Sequence, residues 1–143
     1  MALFSGESRE TMRRRYVEAW RAFRAGEALE PLEAQLVGVI AEHPEYAAWL
    51  ESAEKAVGTE FAPEAGRENP FLHMGLHLAV RDQVTTDRPA GIAAVHRELT
   101  RRHGDAHSAE HAMIGVLGEV LWEAQRSGCA PDEPAYLERL RRL

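Results

Sequence analysis

Between Phe71 and Val80 the sequence is apolar at every position except His73 and His77. Asn69, a helix-capping residue type, stands directly before this run, followed by Pro70, which suits a first helical turn because its missing N–H is not needed there. The pattern predicts a helix with apolar residues all round, and such a helix has to lie buried at the centre of its fold. Whatever else the chain contains must cover it.

The covering elements are predicted to be helices as well. Alanine, leucine, glutamate and arginine supply 72 of the 143 residues, whereas valine, isoleucine and threonine supply 17. Straight-chain residues lose little rotamer freedom in a helix, while β-branched ones lose it and favour strands. The expected fold is all-α: one compact helical bundle of about six to seven helices over residues 1–143, with about the first seven residues flexible.

The punctuation divides the chain into seven helical pieces. The first spans about Ser8 to Ala25, with Met12, Tyr16, Ala19, Trp20 and Phe23 on one face, and Gly26 ends it. The second opens at Pro31 and stops near His43, because Pro44 disfavours helix at the residue before it. A shorter piece runs from Pro44 to about Ala56, and residues 58–68 read as an ordered loop containing Pro63 and Gly66. After the central fourth helix, a fifth runs from about Pro89 to Arg102. Asp105 caps a sixth that reaches about Arg126, and Asp132 caps a last one over Glu133 to Arg142.

Four of the seven histidines form two His-x-x-x-His pairs, His73/His77 and His107/His111. Residues four apart share a helix face, so each pair presents two imidazoles together. Extended along the helix, both lines turn apolar, through Val80 and Val84 in one case and Ile114, Gly118 and Leu121 in the other. Both pairs are therefore expected to face the core. Short connections make neighbouring helices antiparallel, which makes the fourth and sixth helices parallel and brings both pairs to one end of the bundle. Glu110, about 60° around the helix from His107, adds a carboxylate.

Burying an imidazole without a partner costs on the order of 1–3 kcal/mol. A divalent metal removes that cost by taking one ring nitrogen, while the other N–H goes to a carboxylate or carbonyl. The candidate ligands are His73, His77, His107, His111 and Glu110. Four nitrogens without a thiolate suit Zn, Ni, Cu or Fe. The same pattern also fits a hydrogen-bonded structural cluster, and both readings stay open at this level. The pairs lack the internal glutamate of HExxH, so metalloprotease chemistry is not indicated.

Other classes drop out. The net charge of −6 disfavours a nucleic-acid partner, and no apolar run approaches the length that spans a bilayer. A single cysteine, Cys129, and no visible secretory signal fit a reducing, cytoplasmic location. The arginines of the first helix (Arg9, Arg13, Arg14, Arg15, Arg21 and Arg24) read as a solvated face, as do Glu119 and Glu123 on the sixth. Trp20, Trp49 and Trp122 read as core or interface anchors. Gly115 and Gly118, which cost stability inside a helix, suggest a close helix contact. There is no phosphate-binding glycine loop, no nucleophile elbow and no organic cofactor motif, and whether the chain is an enzyme is not written in it.

The words HPEY (43–46), ENPFLHMGLHLAVRDQ (68–83), DRPAGI (87–92) and AEHAMIGVLGEVLWEAQRSGCAPD (109–132), with their spacing, resemble the uncharacterised bacterial domain-of-unknown-function family 1841. The resemblance covers essentially the whole chain and is most specific at NPFLHxxxHLA. It implies a small bacterial all-helical protein and no assigned activity. The residues themselves, apart from the resemblance, point to a divalent-metal-binding, histidine-rich bundle. Its alternative is a non-catalytic module, with a structural histidine cluster, that docks an unknown protein partner or its own copy through the aromatic first helix.

Overall fold

The structure is a computed structural model that describes residues 8–58 and 69–143. The expected flexible start and most of the 58–68 loop, including Pro63 and Gly66, lie outside the described residues. Eight helices and no strand occur among the described ones: α1 (Arg9–Arg24), α2 (Pro31–Ala41), α3 (Pro44–Leu50), α4 (Ala53–Gly58), α5 (Pro70–Thr86), α6 (Ile92–His103), α7 (Ala106–Ser127) and α8 (Glu133–Arg141). None of them is long and apolar enough to cross a membrane.

The count exceeds the sequence expectation because the piece beginning at Pro44 breaks at Glu51 and Ser52. The Ser52 carbonyl accepts from the Ala56 N–H at 2.9 Å, so a new helix is initiated there instead of the old one continuing. The other boundaries follow the capping chemistry. Asn69 Oδ1 accepts from the backbone N–H groups of Phe71 (3.0 Å) and Leu72 (3.2 Å). The Asp105 and Asp132 side chains cap α7 and α8 in the same way, accepting from Ser108 N (2.7 Å) and Ala135 N (3.0 Å). Helix α6 starts at Ile92, three residues after the expected Pro89. Gly91 there has φ of 102°, a left-handed conformation, and the Asp87 carboxylate takes the N–H groups of Gly91 and Ala93.

The chain divides into two compact units, one ending at Leu78 and the other running from Ala79 to Leu143. Helix α5 begins in the first and ends in the second. In the first unit α1 packs on α2 and α4, and α3 lies against α1, α2 and α4. Its core holds Tyr16, Ala19, Leu36, Val39, Ile40, Leu50, Phe71 and Met74. The Tyr16 and Phe71 rings meet edge to face, 5.6 Å between centroids. Burial pushes the Tyr16 hydroxyl pKa far up, so the group stays neutral.

In the second unit α6 packs on α7, and α8 covers both. Ile92, Leu99, Met113, Leu117, Tyr136 and Leu140 are buried. The Tyr136 hydroxyl donates to Gln83 Oε1 at 2.7 Å inside this core, which ties α8 to the C-terminal part of α5.

Three sequence expectations are corrected and a fourth is narrowed. Arg13 is not on a solvated face: it is 1% exposed, donates to the carbonyls of Ala56 (3.2 Å) and Val57 (3.4 Å), and its guanidinium lies 4.8 Å from the Phe71 ring centre. One apolar face of α1 was visible in the sequence, but not that the long Arg13 stem reaches the last turn of α4, where C-terminal carbonyls want a donor. For Trp122, expected as a core or interface anchor, the core half is excluded: it is 59% exposed, with the Arg126 guanidinium 4.5 Å from its ring centre. Leu72, in the helix expected to be buried all round, is 60% exposed. Gly115 is exposed, and a Cβ added there would meet nothing within 4 Å, so it marks no close contact. Glu119 and Glu123 are exposed as expected, and Arg139 bridges both.

Candidate metal site

In the first unit the i, i+4 spacing does bring the His73 and His77 rings onto one face of α5, 6.2 Å between centroids. A third ring joins them. His43, the residue before Pro44, places its imidazole 4.8 Å from that of His73 and 5.3 Å from that of His77. Each of the three offers a ring nitrogen, and these nitrogens lie within 4.8 Å of one another. His43 and His77 are 1% and 0% exposed, and His73 is half-buried.

The orientation of His43 is set locally. Helix α2 ends at Ala41 because Pro44 follows, and the His43 ring folds back over its last turn. Its Nδ1 lies 2.7 Å from the Val39 carbonyl oxygen. A carbonyl only accepts, so Nδ1 carries the proton and Nε2 keeps its lone pair in the neutral ring. The Tyr46 ring stacks on His43, 5.3 Å between centroids and nearly parallel to it.

In the second unit the His107 and His111 rings lie together, 4.1 Å between centroids, and both are half-buried. Glu110 is buried and engaged. Its Oε1 accepts from Arg81 Nε at 3.1 Å, and its Oε2 lies 2.9 Å from His96 Nε2. The carboxylate proposed from sequence as a ligand thus sits between a guanidinium and an imidazole, and any metal contact has to compete with both.

The model of one family, described as "Domain of unknown function (DUF1841)", matches residues 8–142. The chain belongs to this family. No curated protein and no solved structure matches it.

Two histidines of this DUF1841 protein escaped the spacing argument. His43 and His96 have no histidine three or four residues away, so no single-helix periodicity singles them out. The only sign of His43 was its place in the HPEY word. His96 lies 14 residues from Glu110, and only the packing of α6 on α7 brings the two side chains to hydrogen-bond distance.

Proposed function

We propose that this protein binds one divalent transition metal, with His43, His73 and His77 as its protein ligands. The carrying observation is the convergence of three imidazoles from two separate stretches of the first unit, one already locked in the tautomer that presents a free Nε2. Metal-bound histidines characteristically give their second N–H to a carbonyl or carboxylate, and the contact between His43 and Val39 is of that kind. A set of imidazole nitrogens without carboxylates favours Zn, Ni, Cu or Fe over Mg or Ca. Three protein nitrogens leave a coordination position for water or a further side chain, the arrangement of catalytic rather than closed structural zinc sites. His107, His111 and Glu110, the other ligands named by the sequence pattern, lie in the second unit.

The test is metal analysis and calorimetric titration of untagged protein with zinc and nickel. One metal per chain is expected. At about 100-fold excess over Kd it should stabilise the fold by about 2.7 kcal/mol. His43→Ala and the half-buried His73→Ala should each abolish binding, while His103→Ala, exposed at the end of α6, should leave it unchanged. Parallel His107→Ala, His111→Ala and Glu110→Gln variants test the other ligands that the sequence pattern named. Protein without metal, whose melting temperature does not move with either ion, would remove the proposal.

A further inference from the structure

Three neutral imidazoles leave the charge of a divalent ion uncompensated. A charge taken out of water is expensive unless an opposite one stands near it. The ligand set of His43, His73 and His77 holds no carboxylate, so compensation has to come from the residues around it. Glu42, in the same unit, stands in that place: one of its carboxylate oxygens lies within 4.8 Å of a His77 ring nitrogen.

The backbone position of Glu42 is the less favourable one for an acid. It is the C-cap of α2, its N–H donating to the Val39 carbonyl at 3.2 Å, while the His43 N–H donates to the Ile40 carbonyl at 2.9 Å. The carbonyl end of a helix carries negative partial charge and favours a cation. The last turn of α2 has no basic residue, and its cap adds a carboxylate to the same pole. This pole adjoins the histidine cluster, since the Val39 carbonyl also meets His43 Nδ1. Glu42 itself is exposed and keeps much of its hydration, whereas His77 is 0% exposed.

We infer that Glu42 is a positioning residue of the metal site, its carboxylate accepting the N–H of His77 so that the other ring nitrogen is presented to the ion. The arrangement parallels that of His43, whose N–H goes to Val39, and it is the usual outer partnership of a metal-bound histidine. The inference rests on the three-histidine reading above.

The experiment is calorimetric titration of the full chain with zinc, in wild type, Glu42→Gln, Glu42→Ala and Glu45→Gln. Glu45, exposed in the first turn of α3, controls for the loss of one negative charge. Both Glu42 variants should still bind one zinc, about 10–100-fold more weakly, the usual effect of losing such a partner. Glu45→Gln should leave the affinity unchanged. The melting temperature of metal-free Glu42→Gln should equal or exceed that of wild type, because the lost carboxylate opposed the helix dipole. A fall in that temperature would make Glu42 a residue of the fold and overturn the inference. Zinc binding as tight in Glu42→Gln as in wild type, or weakened alike in Glu42→Gln and Glu45→Gln, would overturn it too, and either result leaves the three-histidine reading standing. Wild type that binds no zinc removes that reading and this inference with it.

Discussion

Arg13 and Arg14 are adjacent in sequence and opposite in environment, which makes them a direct measure of how much one buried guanidinium supports the first unit. Arg14 pairs with Glu10 at 3.0 Å on the surface, both side chains at least 60% exposed. Pairs of that kind contribute little that can be measured. Arg13 gives the carbonyls of Ala56 and Val57 charged donors and lies over the Phe71 ring. A hydrogen bond from a charged group is worth about 1.5–3 kcal/mol net. The 3.4 Å contact counts for less than the 3.2 Å one, and a desolvated cation–π contact adds about 2 kcal/mol. Removing the charge also returns the cost of having buried it, which brings the sum down. Arg13→Ala is therefore expected to lose about 3–5 kcal/mol, the range seen when one member of a buried charged contact is deleted. At this chain length that lowers the melting temperature by about 10–15 °C. Thermal and urea unfolding of wild type, Arg13→Ala and Arg14→Ala, followed by far-ultraviolet circular dichroism, measures it. If Arg13→Ala falls within about 1 kcal/mol of Arg14→Ala, the side chain is a solvated one and the reasoning fails.

Two further outcomes follow from the second unit. Tyr136→Phe removes the donor to Gln83 Oε1 in a buried setting, so it should cost about 1–3 kcal/mol in unfolding free energy; a neutral result would show that the amide finds another partner. Hydrogen bonds from the Ser108 backbone N–H and hydroxyl hold the Asp105 carboxyl below its ordinary range. A carboxyl depressed in the folded state stabilises it fully above the unfolded pKa, near 4, and loses that effect as pH falls through the lower folded value. The stability difference between wild type and Asp105→Ala should accordingly be present at pH 7 and shrink steadily below about pH 4; a difference that persists unchanged at pH 2 would contradict the cap.

Much of the helical layout was legible because it is written in local chemistry. Asn69, Asp105 and Asp132 cap where a carboxamide or carboxylate can reach the next turn's N–H groups, and Gly26 follows the end of α1 with φ of 73°. The break at Ser52 and the late start of α6 went unread. Each depends on which of several competing acceptors the backbone chooses, and residue type alone does not rank them.

The candidate site was legible in half. The spacing of His73 and His77 makes them neighbours whatever the rest of the chain does, and the same holds for His107 and His111, since a helix places residues four apart on one face. His43 and Arg13 belong to a different kind of fact. Their partners lie about 30 and 43 residues away, at His73 and Ala56, and no periodicity links them. The sequence by itself determined that this chain is helical, where its caps fall and which imidazoles pair along a helix, because those properties depend on contacts within one turn. Only tertiary packing decided that a third imidazole joins the α5 pair, that one arginine of α1 is swallowed while its neighbour stays in water, and that Glu110 is held between Arg81 and His96. Those outcomes depend on which helix faces meet, and that is settled by the summed burial of many side chains rather than by any one of them.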